Sequence, residues 1–209
     1  MTTAPTYSSD VAFTPAVKAI QARKGSRGGY AHMEEDRGGF RTEIDGSLAA
    51  FIGEQTSFFL ATANADGQPY IQHRGGPAGF IKILDKTTLA FADYKGNRQY
   101  VTQGNLSENP KAYIFLIDYV NRRRIKIWGE ARVVEDDPAL TDALMPKDYK
   151  AKPEQAILFK IAAWDSNCPQ HIPMKFDAAD VAAAVAARDE RIAELEAEVA
   201  QLKQRTTTG

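Results

Sequence analysis

Asp66-Gly67 separates two short runs of strand-forming residues, Ser57–Ala63 and Pro69–His73, and this dipeptide constrains the chain most. Asp-Gly suits the tight turn of a hairpin, so the runs on either side pair antiparallel. The pattern then repeats. Gly79–Leu84 and Thr88–Ala92 flank Asp85-Lys86, and Ala112–Ile117 follows. From Arg123 to Val134 basic and apolar residues alternate, the period of a half-buried strand, and Ala156–Ala163 reads as the last strand. Hardly any helix separates consecutive strands, whereas a parallel α/β sheet needs crossover helices. The expectation is a mainly β fold with helices, its short strands closed as an antiparallel barrel.

The helices are few. Thr14-Pro15 before Ala16–Ile20 places a capping hydroxyl and a proline at a helix start. Gly25 ends that helix, and Gly28-Gly29 reads as the beginning of a loop. Ser47–Gln55 reads as a short amphipathic helix through Leu48, Phe51 and Ile52. Asn97–Asn105 reads as a helix after a Gly96-Asn97 turn, Asn105–Pro110 as a loop, and Asp137–Leu144 as another helix. Three regions follow: an N-terminal arm over 1–45, a barrel domain over 46–176, and a C-terminal helix over 177–209.

That last region is alanine-rich and charged, with no Gly or Pro before Gly209. Val185, Ile192 and Val199 fill heptad position a; Val181, Leu195 and Leu202 fill d, with Arg188 the exception. β-Branched residues at a with Leu at d favour a parallel two-stranded coiled coil. Arg191 and Glu196, and Glu198 and Lys203, have opposite signs at a g-to-e spacing. The other reading is a single amphipathic helix lying on the barrel.

Composition narrows the function. The 209 residues carry 26 Lys+Arg against 27 Asp+Glu, a formal net charge of -1, which argues against a dedicated nucleic-acid binder. No apolar run approaches the roughly 20 residues of a membrane span. Met1–Asp10 lacks the basic start and apolar middle of a secretory signal, and the lone Cys168 fits a reducing compartment, so a cytoplasmic location is expected. His32, His73, His171 and Cys168 have no metal-ligand spacing, so no metal site is expected.

Four segments could carry chemistry. Gln72-His73-Arg74-Gly75-Gly76-Pro77 mixes a basic pair with glycines, which let backbone amides approach an anion while Arg grips it. Its bland reading is a Gly-Pro turn with a surface Arg. Asp93-Tyr94-Lys95-Gly96-Asn97-Arg98-Gln99 joins a strand to a helix start, a setting suited to phosphate, or is simply a capped helix. Arg122, Arg124 and Lys126 share one strand face and suggest an anion, a carboxylate cluster or plain solvent. Trp164–Ile172 brings Cys168 and His171 into one loop. A thiol nucleophile needs an orienting third group, which this segment lacks. A loop that touches a ligand through Gln170 and His171 is the better reading.

In this order the segments resemble the flavin-binding split barrels of the pyridoxamine 5'-phosphate oxidase class, over about Ser47 to Phe176. Leu89–Gln99 followed by Asn105–Pro110 is similar to that family's strand, Gly-Ser/Asn-Arg turn, helix and Asn-Pro pattern. Trp128-Gly129-Glu130-Ala131, Asp66–Tyr70 and Asn167–Ile172 are similar too, the last to an uncharacterised subgroup. The resemblance implies an FMN-binding split β-barrel, paired as a homodimer with two flavin mononucleotides (FMN) at the interface. It implies that Asn97 and Arg98 hold the phosphate, with Arg74 and Lys82 as further contacts. Gln99 replaces a basic residue, and Arg124 lies where pyridoxamine phosphate oxidases place a Gln near the flavin. His73, Gly75, Asp93 and Gln170 complete the candidate flavin contacts, and His171 is the candidate acid or base.

Two departures separate this chain from true pyridoxamine phosphate oxidases. Their C-terminal Arg- and Pro-containing substrate segment is replaced by the heptad helix, and Arg74-Gly75-Gly76-Pro77 departs from their Arg-x-x-x-Lys pattern. The function expected is therefore an FMN-dependent oxidoreductase. It would pass electrons from a reduced nicotinamide (NADH or NADPH) or another small substrate to a small acceptor or oxygen. The rivals are a non-catalytic flavin carrier or sensor, and a split barrel that takes deazaflavin or haem.

Overall fold

The computed structural model describes residues 7–207. The polar start at Met1–Thr6 and the closing Gly209 lie outside the described residues. The chain divides into two units, one of residues 7–118 with 123–169, the other of Tyr119–Arg122 with the chain from Gln170 onward.

The first unit holds one antiparallel sheet of seven strands: β1 (Ser57–Ala63), β2 (Pro69–Gly75), β3 (Lys82–Asp85), β4 (Thr88–Tyr94), β5 (Lys111–Asp118), β6 (Arg123–Val134) and β7 (Pro153–Asn167). Their order is β2-β1-β5-β6-β7-β4-β3. Alternation decides the inner face: Phe58, Leu60 and Thr62 of β1 are buried, and so are Ile125 and Ile127 of β6. The sheet curls on itself. Phe58, one strand in from the β2 edge, meets Phe91, one strand in from the β3 edge, at 5.0 Å between ring centroids. Among the described residues no ladder joins β2 to β3, so the barrel is split. In β4 four successive residues, Leu89–Ala92, are buried because both faces are covered. Leu89 and Phe91 join the barrel core, while Ala90 and Ala92 pack with Leu144 of α5 (Pro138–Leu144). Gly129 is sterically required. At the β6 bulge a Cβ on Gly129 would lie 2.1 Å from the Lys160 carbonyl oxygen.

An arm precedes the barrel: a 3₁₀ turn (Ser8–Val11), α1 (Pro15–Lys24) and α2 (Arg27–Arg37); α3 (Gly46–Glu54) leads into β1. α1 starts on Thr14 and stops at the left-handed Gly25, as its sequence requires. α3 buries Leu48, Phe51 and Ile52. Phe40 stacks on Trp128 with centroids 5.2 Å apart, and the fully buried Trp164 donates its indole N–H to the Glu43 carbonyl at 2.8 Å.

Four local expectations are corrected. Gly28-Gly29 lies inside α2, because α2 is tied in by Glu34. Its buried carboxylate accepts from Ser9 Oγ at 2.8 Å and pairs with Arg27 and Lys18. The helix expected at Asn97–Asn105 is α4, Val101–Glu108. It runs through Asn105, whose amide donates to Thr62 Oγ1 at 3.0 Å inside the barrel. β7 extends to Asn167, so Trp164–Asn167 is strand and not loop, paired with Arg124–Ile127. Arg122 sits in the turn before β6 with φ 52°, off the face that Arg124 and Lys126 share.

The second unit contains α6 (Ala178–Thr207), a helix of 30 residues. Lys175 lies 4.2 Å over the Tyr119 ring within this unit. No helix of the described residues is long and apolar enough to cross a membrane.

Candidate functional site

Strand alternation puts Tyr70, Gln72 and Arg74 of β2 on one face, and that face borders a shallow polar cleft open to solvent. The cleft lies in the first unit where the split brings β2 near β4, β7 and the start of α4. Arg74 pairs with Asp93, so a side-chain ion pair spans strands that share no ladder. Asp93 is fixed from its other side by Gln155 Nε2 at 3.0 Å. Gln72 Oε1 accepts from Thr102 Oγ1 at 2.9 Å, which joins β2 to the first turn of α4. Arg74 Nε is buried and has no hydrogen-bond partner among the described residues.

The loop between β4 and α4 forms the outer wall. Arg98 and Tyr100 both have left-handed backbones, with φ 60° and 54°. Non-glycine residues adopt this conformation at a cost, and such residues concentrate at binding sites. Asn97 Oδ1 accepts from the Gln99 amide at 3.2 Å and tightens the turn. Arg98 Nε donates to the Tyr100 hydroxyl at 3.0 Å, and that hydroxyl donates to Glu154 Oε1 at 2.8 Å. The hydrogen bond to Tyr100 raises the Arg98 pKa above its ordinary value, with the charges of Tyr100 and Glu154 adding to it. The Tyr94 hydroxyl is buried without a hydrogen-bond partner among the described residues, and burial pushes its pKa up.

The structure thus gathers Arg74, Asp93, Asn97, Arg98 and Gln99 around one cleft. The other candidates of the first unit are not among the residues that line it. His73 is exposed on the opposite face of β2 and packs edge-on against Phe59 at 5.7 Å. Gly75 closes β2 opposite Ser57. Lys82 opens β3 opposite Ala90, and Arg124 lies on β6 between Ile117 and Asn167. Gln170 and His171 belong to the second unit, where His171 has φ 62°.

Sequence reasoning missed three groups of lining residues. Tyr70 was visible in the period of β2, two residues from Gln72 and four from Arg74. Glu154 and Gln155 escaped because β7 begins at Pro153, ahead of the apolar run that marks it. Tyr100 was placed inside a helix that starts only at Val101, and Thr102, helical as expected, gave no signal of which side of α4 it occupies.

Group A Streptococcus HupZ is 16% identical, over 64% of this chain and 99% of its own, with a TM-score of 0.49. A putative pyridoxamine 5'-phosphate oxidase from Lactobacillus delbrueckii is 18% identical over 60% and 95%, with a TM-score of 0.47. An FMN-binding protein from Syntrophomonas wolfei is 12% identical over 73% and 97%, with a TM-score of 0.46. No curated protein matches. The family model described as pyridoxamine 5'-phosphate oxidase matches residues 44–168, from the residue after Glu43 to the end of β7 and Cys168. With more than half of its length inside that match and a split barrel as its fold, this chain belongs to the pyridoxamine 5'-phosphate oxidase family of flavin-binding proteins.

Proposed function

We propose that this chain binds FMN and acts as a cytoplasmic, homodimeric oxidoreductase. Electrons pass from a reduced nicotinamide or another small substrate to a small acceptor or oxygen. The observation that carries the reading is the cleft at the split, where Arg74, Asn97 and Arg98 converge within the family-matched segment.

The donor set fits a phosphate. Arg74 and Arg98 supply guanidinium N–H groups and Asn97 an amide. The first turn of α4 adds backbone N–H groups with no helical partner. The buried Arg74 Nε is a donor still to be satisfied. The two carboxylates beside them are already engaged, Asp93 by Arg74 and Gln155, Glu154 by Tyr100.

FMN, when bound, supplies the two-electron redox chemistry. The chain's own task is to anchor and orient. Arg98 holds the phosphate from the loop, and its left-handed backbone turns the side chain along the cleft wall toward Tyr100 and Glu154. Asp93 keeps Arg74 in place across the split. No side-chain acid or base is required by this reading, and His171 is the candidate should a proton need to move.

An absorbance spectrum of the purified protein, reconstituted with FMN and then treated anaerobically with NADH or NADPH, tests it. Flavin bands that bleach and return with oxygen are expected. Flavin bands unaffected by any reductant would replace the enzyme with a carrier or sensor. Deazaflavin or haem bands, or no binding of FMN, would overturn the cofactor.

A further inference from the structure

We infer that α6 pairs with α6 of a second copy of this chain as a parallel, in-register, two-stranded coiled coil. The inference does not rest on the flavin proposal. A helix of 30 residues is about 45 Å long, enough for four heptads. Its seam residues Val181, Val185, Ile192, Leu195, Val199 and Leu202 are each between 43% and 53% exposed. Ile192, Leu195 and Val199 line one apolar strip, bordered by Glu196 and Lys203. An exposed apolar strip of this kind marks a contact surface.

Charge names the occupant. In the single chain Arg191 pairs with Glu194 at 2.8 Å. In a parallel dimer Arg191 at g faces Glu196 at the following e of the other copy, and Glu198 faces Lys203. An antiparallel pair overlapping the same seam sets e against e and g against g, which brings Asp189 to Glu196 as well as Arg191 to Glu198 of the other copy, so it mixes repulsion with attraction where the parallel pair has attraction at both. The like charges at e make the antiparallel pair the poorer of the two. Arg188 is the one charged residue on the seam from Val181 to Leu202. In register the two Arg188 residues share a single layer, with Asp189 beside them as counter-charge. A slip of one heptad sets Arg188 against Val181 or Leu195 and creates two faulty layers. Arg188 therefore fixes register at a cost in stability.

Disulfide trapping in the full-length chain tests this, with Cys168→Ser as background. Leu202→Cys places thiols face to face at d, whereas Gln204→Cys places them on the outer face. Under mild oxidation the first is expected to cross-link about tenfold faster than the second, through the raised effective concentration. Equal rates, or no cross-link in either, would overturn the pairing. Arg191→Glu and Glu196→Arg are each expected to slow the Leu202→Cys reaction, and the double change to restore it. Failure of the double change to restore the rate would overturn the parallel register. The substituted α6 positions are exposed, and far-UV dichroism checks that each variant remains folded.

Discussion

Arg98 is the residue on which the site turns. It stands on a left-handed backbone, donates to Tyr100 and leans on Glu154 through that hydroxyl. A charge-assisted contact contributes about 1.5 to 3 kcal/mol, so Arg98→Ala should weaken FMN binding about 10- to 150-fold. Fluorescence titration measures this, and an unchanged Kd would remove Arg98 from the phosphate. Its place in the cleft was legible because Gly96-Asn97-Arg98 follows a strand in a family pattern. The Arg74–Asp93 pair was not, since β2 and β4 are separated by β3 in sequence and only the curl of the sheet brings them together. Arg124 was legible as a strand residue of β6, but a strand's period does not tell which cleft a face borders.

Among the elements, α2 shows where local rules fail. Two adjacent glycines near a helix start lower its propensity, yet α2 forms because Glu34 anchors it to Ser9, Lys18 and Arg27. Burial opposes the Glu34 charge, but hydrogen bonds from Arg27 and Ser9 and the nearby cations outweigh it and hold its pKa below 4.5. The sign is that of a depressed carboxylate. Its stabilisation is present above the unfolded-state pKa and is lost as pH falls through the lower folded value. The arm should therefore loosen before the sheet on acidification below about pH 4. Hydrogen exchange over residues 7–40 checks this, and Glu34→Gln should bring the same loosening to neutral pH. Elements with intact local signals were read correctly from sequence: the Asp66-Gly67 hairpin, α1 with its Thr14 cap, and α5 with its Asp137 cap. α4 was displaced because Asn97 and Asn105 resemble a cap and a stop, whereas Asn105 is a buried partner of Thr62.

For the whole molecule, the family match ends at residue 168 and the second unit takes up the chain from Gln170. Truncation after Phe176 should leave FMN binding unchanged within about twofold, because every cleft residue lies in the first unit. A truncated chain that is colourless after reconstitution would show that the helix supports the barrel. The strand order has one more consequence, for the path by which the chain folds. The hairpins β1–β2, β3–β4 and β5–β6 each close between sequence neighbours and need little search. The β4–β7 ladder instead joins Thr88 to Lys160, and β1–β5 joins Phe59 to Phe115. Closures over such separations are slow because loop entropy is lost before contacts repay it. The cleft draws on β2, β4 and β7 together, so it exists only after both distant ladders have formed. A ligand of this cleft can trap the finished barrel, but it has nothing to hold while the hairpins are still finding one another.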